Sequence, residues 1–134
     1  MTAPRTPRGP RPADTTILVV DDDPVILTLV ERTLRAEGFL VWTANRAADA
    51  RNLLAELAGS VDLVLTDIAM PEGLGSELAL QIHSTQRWVR VLFMSSYSRE
   101  HLQKHGVDVP EAQFLKKPFV AAQLVSSIRE VLAA

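Results

Sequence analysis

Cysteine is absent from the chain. That excludes a disulfide scaffold, thiolate zinc sites, iron–sulfur clusters and a cysteine nucleophile, and it fits a reducing compartment. Aromatic residues make up only 5%, so the core must be aliphatic. No apolar run approaches the length of a membrane span, and the first residues lack the apolar core of a secretory signal. The expected location is the cytoplasm, without membrane contact. What is present suits one globular domain: 134 residues, 47% hydrophobic and 22% charged.

Charge is unevenly placed. The first fourteen residues hold Arg5, Arg8 and Arg11 against Asp14, while the rest holds 11 basic and 15 acidic side chains. A folded part of that sign has no bulk attraction for nucleic acid, and none is expected as a partner. Pro4, Pro7, Pro10 and Pro12 crowd the same segment, removing backbone donors where almost nothing apolar can be buried. Residues 1–15 are therefore expected to be a disordered tail or linker, and residues 16–134 the domain.

From there strands and helices alternate. Ile17-Leu18-Val19-Val20 is a fully apolar run, as expected of a strand buried on both faces. Asp23-Pro24 supplies an N-cap and a first helical residue. Ile26, Leu27, Val30 and Leu34 follow at helical spacing, and Gly38 ends the helix. Further strands are expected at 39–43, 61–66, 89–94 and 113–116, with helices at 47–58, 76–86 and 120–133. A fourth helix over 99–105 has only Leu102 to bury and should be one or two turns. Five apolar strands alternating with helices imply an α/β fold, a doubly wound parallel sheet of flavodoxin-like order 2-1-3-4-5. Its site lies at the carboxyl ends of the strands.

Four strand ends carry polar groups. The first ends in Asp21, Asp22 and Asp23, the third in Asp67, the fourth in Ser95 and Ser96, and the fifth in Lys117 before Pro118. Asp23 reads as the helix cap. Asp21, Asp22 and Asp67 cannot all ionise comfortably side by side. A divalent cation resolves the conflict, and hard oxygen donors favour Mg²⁺, with Mn²⁺ as the alternative. With Lys117 beside them the charges balance, and the site can accept one further anion, most naturally a phosphoryl group.

Other features read more plainly. Gly73-Leu74-Gly75 lacks the third glycine of a dinucleotide fingerprint. His101 and His105, four apart with no third ligand, read as a solvated helix face, and His83 as a surface residue. Trp42 and Trp88 read as partial core.

The stretches Ile17-Leu18-Val19-Val20-Asp21-Asp22-Asp23-Pro24, Asp67-Ile68-Ala69-Met70-Pro71, Val91-Leu92-Phe93-Met94-Ser95-Ser96 and Phe114-Leu115-Lys116-Lys117-Pro118-Phe119, in this order, resemble the four motifs of response regulator receiver domains, the CheY-like family. The short fourth helix and the end of the fourth strand are similar to receivers of hybrid sensor histidine kinases. The resemblance implies a module of two-component phosphorelay signalling rather than an enzyme with a turned-over substrate; it would catalyse only its own phosphorylation and dephosphorylation. Asp67 is then the phosphoacceptor. Asp22, Asp67 and the backbone carbonyl of Ala69 are direct Mg²⁺ ligands, and Asp21 acts through a metal-bound water. Ser95 bonds the phosphoryl group, Lys117 pairs with Asp67, and Lys117–Pro118 is cis. Ser95 and Phe114 are the switch residues, with Phe114 preferring burial. Ala69 and Tyr97 flank the path of hydrolytic water and imply slow self-dephosphorylation. The implied partners are a histidine kinase or histidine phosphotransfer protein and a downstream protein that docks on the fourth helix, fifth strand and fifth helix. The chain is expected as a monomer or a phosphorylation-dependent dimer. The competing expectation is a receiver fold that acts as an interaction module without phosphorylation.

Overall fold

Thr16–Val20 forms strand β1 and is buried at all five positions. Ile17 and Val19 enter one hydrophobic cluster and Leu18 and Val20 another. A strand covered on both faces needs such an unbroken apolar run. The computed structural model describes residues 12–57, 59–70, 73–74, 82–84, 86 and 88–134.

Helix α1 (Pro24–Ala36) begins where Asp23 accepts the Val25 N–H at 2.9 Å. It ends at Gly38, whose φ of 93° is a left-handed conformation that suits glycine. There the Phe39 N–H returns to the Leu34 carbonyl at 3.1 Å. Strand β2 (Leu40–Ala44), helix α2 (Ala47–Glu56) and strand β3 (Leu63–Asp67) follow. Of the helix expected over 76–86, residues 82–84 are helical (α3) and Gln86 is not, although its N–H still donates to the Ile82 carbonyl at 2.7 Å; the rest of that expectation lies outside the described residues. Strand β4 (Arg90–Ser95), helix α4 (Arg99–Lys104), strand β5 (Phe114–Lys116) and helix α5 (Ala121–Ala133) complete the order. As its composition suggests, α4 is short. Leu102 is its one buried residue, and the Arg99 guanidinium ties it to the Val109 carbonyl at 2.8 Å.

The five strands form one parallel sheet in the order β2-β1-β3-β4-β5, the flavodoxin-like arrangement expected. Helices α1 and α5 cover one face through Val30, Leu34, Leu124 and Ile128. Ala50 and Leu54 of α2, Ile82 of α3 and Leu102 of α4 cover the other. Fully burying one such aliphatic side chain contributes about 1.5–3 kcal/mol. Strand β2 is an outer edge. Its Val41 carbonyl accepts the Arg35 guanidinium of α1 at 2.9 Å. Among the described residues no helix is long and apolar enough to cross a membrane.

Three expectations need correction. Trp42 and Trp88 are not core: they are 47% and 55% exposed. Trp42 stands on the edge strand beside exposed Leu40, with no further strand to flank it, and Trp88 lies in the turn before β4. Order begins before residue 16. Pro12–Asp14 is a single 3-10 turn, and Thr15 is buried, its carbonyl accepting the Leu40 N–H at 3.0 Å. Residues 1–11 of the expected tail lie outside the described residues. Several strand and helix ends also shift by one or two residues; Phe39, for instance, serves the end of α1 rather than β2.

Candidate functional site

The strand register brings the polar ends together. Val20 is abreast of Thr66, so Asp21 and Asp67 leave the sheet side by side. Asp67 is abreast of Met94, one residue before Ser95, and Ser95 is abreast of Lys116, one residue before Lys117. All four chains exit at the carboxyl edge, where the connections from β1 and β3 diverge.

Asp21 is fully buried. Its Oδ1 accepts the Asp23 N–H at 2.9 Å and its Oδ2 accepts Lys117 Nζ at 2.7 Å. The same ammonium donates to Asp67 Oδ2 at 2.9 Å. The Lys117 and Asp67 side chains retain only 12% and 13% exposure. Asp22 is exposed. One carboxylate oxygen from each of Asp21, Asp22 and Asp67 lies within 4.8 Å of the other two. This is a set of hard oxygen donors with no nitrogen or sulfur among them, and it suits Mg²⁺ or Mn²⁺.

The charges act on each other. Burial pushes the Asp21 carboxyl above its ordinary range; the Lys117 ammonium and the Asp23 amide oppose this without cancelling it, and the Asp67 charge adds to it. Burial alone would lower the Lys117 pKa, but hydrogen bonds and charge from Asp21 and Asp67 outweigh it, and the pKa is raised. Lys117 therefore stays protonated at neutral pH.

Lys117 is placed by the backbone. Its N–H donates to the Ser95 carbonyl at 2.8 Å, and the Lys117–Pro118 bond is cis, as expected. Ser95 is 1% exposed. Its Oγ accepts the Tyr97 N–H at 3.0 Å, which uses an acceptor site and leaves the hydroxyl proton for another partner. Ser96 is exposed and stands outside this arrangement. Phe114 is half-buried against the cluster beneath α4. The Ile68 N–H donates to the Met94 carbonyl at 3.0 Å and the Thr66 hydroxyl to the Asp67 carbonyl at 3.0 Å, which pins the chain after Asp67. Ala69 then opens a two-residue antiparallel pairing of Ala69–Met70 with Gly73–Leu74.

Two features go beyond the sequence reading. Lys117 holds Asp21 as well as Asp67; strand ends predict convergence, not how one ammonium divides between two carboxylates. The Tyr97 ring stacks on His101, centroids 4.6 Å apart and 14° from parallel, and so rests on α4. Tyrosine four residues before histidine was the available signal.

Comparison with known proteins agrees with this geometry. The family described as "Response regulator receiver domain" matches residues 17–129. The sensor kinase CckA of Brucella abortus (strain 2308) is 30% identical over 117 residues, 87% of this chain and 12% of the kinase. The transcriptional regulatory protein CpxR of Klebsiella pneumoniae is 34% identical over 116 residues, 87% of this chain and 48% of the regulator. The chain thus spans about half or less of these curated relatives. Among solved structures, a response regulator receiver protein from Sinorhizobium medicae WSM419 superposes with a TM-score of 0.77 at 30% identity, covering 90% of this chain and 95% of that one. The receiver domain of the hybrid histidine kinase CckA does so with a TM-score of 0.72 at 28% identity, covering 87% and 98%. With its parallel sheet, its carboxylate cluster and the match over residues 17–129, the chain belongs to the response regulator receiver domains, signalling modules of two-component systems.

Proposed function

We propose that the domain accepts a phosphoryl group on Asp67 from a phosphohistidine donor, a histidine kinase or histidine phosphotransfer protein, and that this switches a protein-interaction surface. The observation that carries the reading is one protonated lysine shared by two carboxylates, within a three-carboxylate cluster at the sheet's carboxyl edge. Asp67 is the less buried of the two carboxylates on Lys117 and can meet an incoming phosphorus atom.

The Asp67 carboxylate attacks phosphorus in line. The O–P bond forms as the P–N bond to the donor imidazole breaks, and the electron pair leaves with the imidazole nitrogen. The Lys117 ammonium moves its hydrogen bond from Asp67 to a phosphoryl oxygen and keeps its bond to Asp21. The Ser95 hydroxyl donates to another phosphoryl oxygen. Asp22, Asp67 and the Ala69 carbonyl would hold Mg²⁺ directly, and Asp21 through water. Bound there, the ion supplies positive charge against the phosphoryl oxygens. The domain catalyses only its own phosphorylation and the later hydrolysis. Ala69 has no group to orient water, and with Tyr97 this makes hydrolysis slow.

Movement of Ser95 draws on the Tyr97 amide and so reaches α4; Phe114 lies under the same surface. A downstream protein, or a second phosphorylated copy, docks on α4, β5 and α5. Intact mass after incubation with Mg²⁺ and phosphoramidate, beside Asp67→Asn, tests the reading. The expected result is a gain of one phosphoryl group, lost in the variant and without Mg²⁺. A folded protein that binds Mg²⁺ and gains nothing would instead be a phosphorylation-independent interaction module.

A further inference from the structure

We propose that His101 and His105 form a two-imidazole site on α4 for a first-row transition-metal dication such as Zn²⁺ or Ni²⁺. The two residues stand one helical turn apart, His101 within α4 and His105 as its C-terminal cap, and this spacing puts them on one face. Their ring centroids are 4.5 Å apart and the planes are tilted by 53°. Both residues are exposed. Neither ring makes a hydrogen bond or an ion pair among the described residues, so no described protein group competes with an ion for its nitrogens.

The pair is also held in place. The Ser98 side chain caps the helix by accepting the His101 N–H at 3.1 Å. The His105 and Gly106 amides close the last turn on Leu102 and Gln103, and buried Leu102 anchors it. Tyr97 stacks on the opposite neighbour position and restricts the His101 ring, so less rotamer freedom is lost when an ion binds. The carbonyl end of α4, beside His105, favours positive charge.

Imidazole nitrogen selects zinc, nickel or copper over magnesium, whereas the carboxylate cluster has the opposite preference. The two sites share no residue and would take different ions. With two protein ligands, water fills the remaining positions of the ion. Once one imidazole is bound the second is already at high effective concentration, so losing either should weaken binding by at least about tenfold.

The test is a Zn²⁺ titration of the full chain in excess Mg²⁺, followed by the ring nitrogen resonances of its three histidines. The variants are His101→Ala, His105→Ala and His83→Ala, each checked for folding by circular dichroism. The expected result is one Zn²⁺ per chain that shifts both His101 and His105 rings, weakened at least about tenfold by either substitution at the pair and unchanged by His83→Ala. Zinc affinity unaltered by His101→Ala and His105→Ala would overturn the proposal. So would silence of both rings at millimolar Zn²⁺.

Discussion

Lys117 Nζ lies 2.7 Å from Oδ2 of fully buried Asp21, closer than its 2.9 Å contact with Asp67. Asp21 has no exposed side-chain surface, and it anchors the ammonium. Asp67 can then exchange its bond to Lys117 for chemistry while the lysine stays in place.

Replacing Lys117 by methionine leaves two buried or half-buried carboxylates without a counter-ion. Stability in Mg²⁺-free buffer at neutral pH should fall by about 3 kcal/mol, read from urea unfolding. Phosphorylation by a small donor should slow by about 100-fold. Asp67→Asn should do the reverse to stability and raise the urea midpoint, because it removes one of three mutually repelling carboxylates and keeps the Lys117–Asp21 pair. A lower midpoint for Asp67→Asn would contradict this electrostatic account.

The pH dependence has two arms. The Asp21 pKa is raised above 3.8 in the folded state, so the folded protein binds more protons there, and stability falls as pH rises from 3.8 through the raised value. The Lys117 pKa is raised above 10.5, so its contribution is whole below 10.5 and lost as pH rises through the folded value. Urea unfolding in Mg²⁺-free buffer across both windows measures this. Asp21→Asn should abolish the acid-side slope and shrink the alkaline one.

Magnesium should stabilise the domain by about 1.4 kcal/mol at a tenfold excess over its Kd. Asp22→Asn should cancel most of that shift. Because Asp22 is exposed, the same variant should leave stability without metal almost unchanged. Thermal unfolding with and without Mg²⁺ separates the two effects.

Asp23 is the neighbour that should not matter for the chemistry. Its side chain caps α1 through the Val25 amide. Asp23→Ala should cost about 1 kcal/mol of stability and leave phosphorylation of Asp67 by phosphoramidate intact. Loss of phosphorylation in a folded Asp23→Ala protein would assign it more than a cap.

Much of this was legible in the sequence because the determinants are local. An unbroken apolar run gives β1, Asp23-Pro24 starts α1, and one apolar residue makes α4 short. Strand ends in a doubly wound sheet then bring Asp21, Asp67, Ser95 and Lys117 to one edge. What escaped depends on where layers stop and how side chains turn. Trp42 has strand periodicity but stands on the outermost strand, with no neighbouring strand on one side to help cover it. Nothing in the spacing tells that Lys117 reaches Asp21 more closely than Asp67, or that Tyr97 rests on His101.

The contact between Arg35 and the Val41 carbonyl has a consequence for self-association. Val41 belongs to the outermost strand, where unpaired backbone groups invite strand addition by another chain. Arg35 plugs that row from within the same molecule. A second copy seeking to extend the sheet would first have to evict it, so encounters between copies are steered away from the strand edge and toward the helical faces.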